Sequence, residues 1–302
     1  MARPLLLVAA AKINLSLDVL GLREDGYHLV EMVMQTIDLC DYITLDGVET
    51  GDIEIHCYHP HVPWGKKNLV WKAAHLLRKE YGSPEMGASI TITKNIPVAA
   101  GLAGGSADAA AALKGLNQLW NLSLPPPTLA RLGARLGADV PFCLLGGTAL
   151  ARGVGEALTP LPPAPKLWVV LLKPDLGVST AEVYNNYDSS LVQRRPSTQT
   201  LIAALAAANL PTMAASMANV LESVTFARLP ILRQLKQRAM ELGALAALMS
   251  GSGPTVYALA EDYQRAAVIA DGLRRQVEFA EITSFKEAEH GTSICSSVGG
   301  RQ

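Results

Sequence analysis

Apolar and polar positions alternate through much of the first hundred residues, the period expected of half-buried strands. The pattern predicts strands over 5–19 and 37–45, with a turn region over 21–26 between them, and a further strand around Ile53, Ile55 and Cys57. At 68–81 the spacing changes: Leu69, Val70, Ala73, Leu76 and Leu77 fall on one helical face, and Gly82 follows as a stop. Alternation returns over 89–93. An alanine-rich helix is predicted over 106–119, and a second helix over 127–136 that stops at Gly137. Residues 160–165 are four prolines with one leucine and one alanine, the best linker candidate in the chain, so the boundary is placed there: one domain over 1–160 and another over 161–302.

Beyond the linker an apolar strand is predicted over 167–172 and a polar loop over 193–200. Helices are predicted at 201–208, 214–221 and 231–242, followed by a strand, a glycine turn and a strand over 247–258. The Gly- and Ser-rich residues from 291 onward are expected to fray. Strands and helices mix without strict alternation, so the fold class is α+β rather than a doubly wound sheet.

Composition narrows the class. The chain has 302 residues, 49% hydrophobic and 18% charged, with a net charge of −1. No basic stripe is present, which argues against nucleic acid as a partner. No run is long enough to span a membrane, and the short apolar stretch before Lys12 fits a buried strand better than a signal peptide. Cys40, Cys57, Cys143 and Cys295 form no CxxC pair, which points to a reduced, cytoplasmic compartment. His56, His59 and His61 lie among Pro60 and Pro63, as expected of a solvated loop rather than a metal site.

Four segments carry candidate chemistry. Ile96-Pro97-Val98-Ala99-Ala100-Gly101-Leu102-Ala103-Gly104-Gly105-Ser106-Ala107-Asp108 leaves a strand and enters a helix. Small residues there let the backbone approach a phosphate, and the helix N-terminus supplies free N–H groups. Spacing excludes a GxxxxGK[ST] loop and a GxGxxG fingerprint. A GxSxG elbow fails because Asp108 stands two positions after Ser106. Lys12 and Asn14, two apart in a strand, share a face. Asp139 follows a helix stop and is either the cap of the next helix or a catalytic carboxylate. Ser250-Gly251-Ser252-Gly253-Pro254-Thr255 is a hairpin turn or a second anion-binding turn.

Taken in order, Ala11-Lys12-Ile13-Asn14-Leu15, Gly26-Tyr27-His28, the 96–108 loop, Gly137-Ala138-Asp139-Val140-Pro141-Phe142-Cys143 and the 250–255 turn resemble the GHMP kinases, in particular the branch that phosphorylates a cytidine diphosphate-linked methylerythritol. The resemblance runs from about Ala11 to Tyr257. Ala99, Ala103 and Ala107 depart from it, standing where glycine or serine is expected. Alanine is costly wherever that backbone needs a positive φ.

The resemblance implies a two-domain fold: a ribosomal-protein-like N-terminal domain, a ferredoxin-like C-terminal domain, and an active site in the cleft between them. It implies ATP along Pro97 to Ala107 with its adenine near Asn68, and magnesium whose ligands the sequence does not name. Asp139 is then the proton acceptor and Lys12 its electrostatic partner. Tyr27, His28 and Tyr184 take the cytosine, Asn14 the methylerythritol, and Ser250 and Gly251 complete the substrate site. The activity implied is phosphorylation of a 2-hydroxyl in the non-mevalonate route to isoprenoid precursors, with small-molecule partners only.

Overall fold

The computed structural model describes residues 4–48 and 50–287. Its spine is a pair of long antiparallel strands, β1 (Leu5–Leu22) and β2 (His28–Val48), joined through a tight turn in which Gly26 takes φ +84°. The expected strand over 37–45 is therefore only the second half of β2. The first half escaped notice because Val30, Met32, Val33 and Met34 are all buried, and a strand covered on both faces shows no alternation. His28, two residues past the expected turn, opens β2.

One edge of β2 pairs with β1 along its length. The other pairs with β4 (Gly87–Thr93) toward the strand end and with β5 (Thr148–Arg152) near its start. The order is β3-β4-β2-β5-β6, with β3 (Ile53–His56) and β6 (Ala157–Pro160) outermost. Four helices accompany this sheet: α1 (Leu69–Tyr81), α2 (Gly104–Leu119), α3 (Pro126–Leu136) and α4 (Val140–Leu145). Helix α2 lies closest to it. Ala107 and Ala109 through Ala112 keep its buried side thin, and at Gly115 a Cβ would overlap methyl groups of Leu45 and Leu7.

The second half contains β7 (Trp168–Lys173), α5 (Thr180–Asn185), α6 (Thr198–Ala206), α7 (Leu210–Ser216), α8 (Glu222–Arg228), α9 (Pro230–Glu241), β8 (Ala246–Met249), β9 (Val256–Ala260), α10 (Tyr263–Leu273) and β10 (Phe279–Ser284). These four strands form an antiparallel sheet in the order β10-β7-β9-β8. Numbered within the half this is 4-1-3-2, the ferredoxin-like arrangement. The expected α+β class and two-domain fold hold, with one sheet in each half. Of these elements α5, α8, α10 and β10 had no counterpart in the sequence prediction, nor did β5 and β6 in the first half. The residues expected to fray from 291 lie outside the described range.

Residues 161–167 carry no regular structure and lead from the first sheet to β7. The halves nevertheless share their interior. Leu17 and Met34 pack in one apolar cluster with Val170 and Leu172, and Ile13 and Ile37 pack in another with Val169 and Leu171. The helix expected over 214–221 stops at Ser216. Beyond it the Leu17 amide donates to Ala218 O at 2.9 Å and the Val220 amide to Leu17 O at 3.0 Å, so pairing with β1 overrides a helical pattern. Among the described residues no helix is long and apolar enough to cross a membrane.

The close seat of α2 gives a direct test. Gly115→Val should destabilise the protein by roughly 1–3 kcal/mol, the usual effect of overfilling a packed core, read as a lower urea midpoint with an unchanged slope. An unchanged midpoint would mean that Leu7 and Leu45 yield freely.

Candidate active site

Between the two halves lies a cleft of about 850 Å³. Residues from β1, the turn before β2, the 97–106 loop, the start of α4, α5 and the 251–252 turn line it. Seventeen of the twenty residues singled out in the sequence reach its wall: Lys12, Asn14, Tyr27, His28, Asn68, Pro97, Val98, Ala99, Ala100, Gly101, Ala103, Gly104, Gly105, Ser106, Asp139, Tyr184 and Gly251. Leu102, Ala107 and Ser250 do not. Leu102 is buried in the core, with its carbonyl accepting the Lys12 amide at 3.1 Å. Ala107 faces the sheet from α2. Ser250 is fully buried and donates its hydroxyl to Gly101 O at 2.9 Å, so it braces the loop instead of touching a ligand.

The loop backbone is built around left-handed residues at every second position: Ala99 (φ 53°), Gly101 (φ 76°) and Ala103 (φ 59°). Alternation of this kind gathers successive N–H groups into an anion-binding concavity. Two of the three alanine departures thus sit where an L-residue is strained, at roughly 1–2 kcal/mol each. Ala107, inside α2, carries no such strain. Ala103 caps α2 without a side-chain bond, and helical geometry leaves the amides of Gly104, Gly105 and Ser106 without acceptors in their own helix. These amides and the positive end of a 16-residue helix face the cleft.

Lys12 is buried, and its ammonium donates to Asn14 Oδ1 at 2.8 Å and Gly101 O at 3.2 Å. It also lies 3.6 Å from Asp139 Oδ2. Asp139 occupies the position before α4 but makes no capping bond, and its carboxylate, about one-third exposed, turns to Lys12 and the cleft. Of the two roles open to it in the sequence, the cap is therefore absent. One turn further on, burial followed by the charge of Asp139 pushes the Cys143 thiol up, which disfavours its thiolate. Asn68 caps α1, accepting from Val70 N at 2.8 Å and donating to Pro63 O at 2.9 Å, so most of its side chain serves the rim of the cleft. Gly251 is held by Asn219, whose side-chain amide donates to its carbonyl at 2.8 Å.

At the far end Tyr27 is 62% exposed, an open platform, while His28 sits 5.3 Å from Tyr184 with the rings tilted by 39°. Burial pushes the Tyr184 phenol up, with a smaller push from Asp139, so it stays a donor.

Sequence reasoning missed a buried charge cluster. Lys94, which lines the cleft, bridges Asp41 and Asp108, the latter at 2.8 Å. Asp41 also accepts the amides of Asn95 (2.6 Å) and Ile96 (2.8 Å), so it clamps the entry of the 96–108 loop. Gly104 belongs to this packing, because a Cβ there would press on Ile96 and Lys94. The signal was present in Asp108 of the quoted loop, but its partners lie 14 and 67 positions away. Burial works against the Lys94 ammonium, yet Asp108 and Asp41 outweigh it and hold its pKa above the ordinary value. Asp108 is pushed up to about 7, chiefly by burial, with Lys94 opposing and Asp41 adding to the rise. Its Oδ1 has no hydrogen-bond partner.

A carboxyl whose native pKa exceeds its unfolded value of 3.8 binds its proton more tightly when folded. Its contribution to stability is therefore present at low pH and lost as pH rises through the window from about 4 to about 7. Asp108→Asn should remove that loss, so its melting temperature should fall less than the parent's between the two ends of the window. Parallel curves would show that Asp108 ionises normally.

The chain matches the N-terminal domain model of the GHMP kinases over residues 68–147 and the C-terminal model over 201–278. It is 51% identical over 260 residues to the 4-diphosphocytidyl-2-C-methyl-D-erythritol kinase of Alkaliphilus metalliredigens, covering 86% of this chain and 89% of that protein. A crystal structure of 4-(cytidine 5'-diphospho)-2C-methyl-D-erythritol kinase superposes with a TM-score of 0.80 at 35% identity, over 94% of this chain and all of that one. A homoserine kinase from Cytophaga hutchinsonii shares the fold at a TM-score of 0.75 but only 21% identity, over 95% and 96% of the two chains. Sequence, sheet topology and the loop at the head of α2 thus agree: this chain belongs to the GHMP kinase family.

Proposed function

We propose that this protein transfers the γ-phosphoryl group of ATP to the 2-hydroxyl of 4-diphosphocytidyl-2-C-methyl-D-erythritol. The observation that carries the chemistry is the Lys12–Asp139 pair, 3.6 Å apart in a cleft shared with the phosphate loop. The triphosphate lies along 97–106, held by the alternating left-handed backbone and the first-turn amides of α2. Asp139 accepts the proton of the acceptor hydroxyl as its oxygen attacks. Lys12 balances the carboxylate before transfer and the moving phosphoryl charge during it. Its bonds to Asn14 and Gly101 fix the ammonium beforehand, so no reorganisation is needed at the reacting centre.

Magnesium accompanies ATP in such chemistry and neutralises charge between its phosphates. It would need one or two protein oxygens beside the phosphates. Ser106 and Asp108 line the cleft next to the loop, and Asp108 Oδ1 has no hydrogen-bond partner, so these two residues would supply the protein oxygens. The acceptor's base goes to the aromatic end, where Tyr27 offers an open face and His28 a polar edge. Asn14, buried beneath the cleft and bonded to Lys12, faces the methylerythritol. A cytoplasmic location suits Cys57 and Cys143, which form no disulfide.

A non-catalytic nucleotide-binding regulator on the same fold has no need of a Lys–Asp pair at the phosphate loop. A mevalonate- or homoserine-type kinase has no need of an aromatic pocket for a base. The test is to incubate the protein with ATP and the cytidine compound, mevalonate and homoserine in parallel, and to identify each product by mass. Phosphorylation of mevalonate or homoserine as readily as the cytidine compound would overturn the assignment. Asp139→Asn should fold normally and lower kcat by roughly 10²–10⁴, the range for a lost general base. A near-normal kcat would remove Asp139 from that role.

A further inference from the structure

Beside the aromatic end of the cleft stands a third tyrosine, one that does not line it. Tyr187 follows α5, and its ring meets His28 edge-on, with centroids 6.2 Å apart and planes at 89°. Tyr184 holds the same imidazole from another side at 5.3 Å. Among the described residues no side-chain hydrogen bond fixes His28, so the two tyrosine rings are the contacts that hold the plane of its imidazole at the cleft wall. Tyr187 is itself tethered: its hydroxyl accepts from Arg195 Nη2 at 3.3 Å. The other Arg195 nitrogen donates to Asp18 and, at 3.2 Å, to Val19 O, both on β1. β1 also carries Lys12 and Asn14, so the tether joins the segment after α5 to the strand that holds the reacting end of the cleft.

We propose that Tyr187, anchored by Arg195, is a positioning residue that sets the orientation of His28 toward the pyrimidine edge of the acceptor. This rests on the proposed function, in which His28 reads that base. An imidazole that must present one nitrogen to a fixed donor–acceptor edge has to be held within a narrow range of angles. Two aromatic neighbours at different inclinations restrict both tilt and rotation, which one neighbour alone does not. Tyr184 belongs to the cleft wall and serves as a platform. Tyr187 touches His28 but is not part of the cleft wall, so it acts only through His28.

The experiment compares the parent, Tyr187→Ala, Tyr187→Phe, Arg195→Ala and His28→Ala with ATP and the cytidine compound, and with its uridine analogue. Tyr187→Ala should raise KM for the cytidine compound about three- to tenfold, the scale of one aromatic pair, with kcat and the Kd for ATP nearly unchanged. It should also narrow the preference for cytosine over uracil. Tyr187→Phe keeps the ring and should restore most of the loss, and Arg195→Ala should show a smaller shift in the same direction. Arg195→Ala removes an exposed tether without opening the core, so it answers the question even if Tyr187→Ala fails to fold. A KM and base preference at parental values in both Tyr187→Ala and Arg195→Ala, while His28→Ala is impaired, would overturn this inference alone. So would a joint fall in kcat, ATP affinity and melting temperature that Tyr187→Phe does not rescue. A parent that leaves the cytidine compound unphosphorylated would overturn the proposed function, and this inference with it.

Discussion

A buried ammonium must be surrounded by acceptors, and in this protein that requirement falls on Lys12. Its Nζ meets Asn14 from its own strand, the carbonyl of Gly101 from the phosphate loop and the carboxylate of Asp139 from the start of α4, while its amide binds Leu102 O. Three segments far apart in the chain are gathered around one atom. The Gly101 carbonyl accepts from Ser250 as well, which ties in the second half. Gly101 is where the gathering is tightest: its φ is +76°, and a Cβ would overlap the Ser250 carbonyl oxygen. Any other residue there would push the loop off the 250–253 turn, and with it the ammonium from its acceptors.

Charge around the cleft is arranged by the same logic. The end of α2 offers positive potential without a side chain, through amides that helical geometry leaves unbonded. The Lys94 cluster stands one turn deeper, with two carboxylates on one ammonium, and keeps the loop's entry and the first turn of α2 in register. Strain at Ala99 and Ala103 is carried by this frame. The loop is thus held from below by ion pairs and from the side by Gly101, leaving its amides free to face the cleft.

The two halves are not independent bodies joined at a hinge. Their apolar interiors merge, and Leu17 of β1 pairs with the 218–220 segment. Tyr257 on β9 donates its hydroxyl to Asn14 O at 2.8 Å. The strand that presents Lys12 and Asn14 is therefore gripped by both sheets. That suits a reaction whose catalysis rests on holding two substrates in line rather than on covalent chemistry.

The sequence by itself determined the elements whose pattern is local. The helix of α1 with Asn68 before it and Gly82 after it, the alanine-rich α2 behind a small-residue loop, and the shared face of Lys12 and Asn14 all follow from residues within a few positions of one another. The α+β class came with them. Tertiary structure alone decided the rest. The first half of β2 lost its alternation because both faces are covered, and the helix expected over 214–221 gave way to pairing with β1. Ser250 was claimed by a backbone carbonyl 149 positions away. Asp139 could be a cap or a cleft carboxylate until Lys12, 127 positions earlier, was placed beside it, and Asp108 is buried against a lysine only because the first turn of α2 meets the residue that follows β4. Local propensity and periodicity act over a turn or a strand. Burial, desolvation and the pairing of distant charges depend on which segments meet, and only the packed chain specifies that.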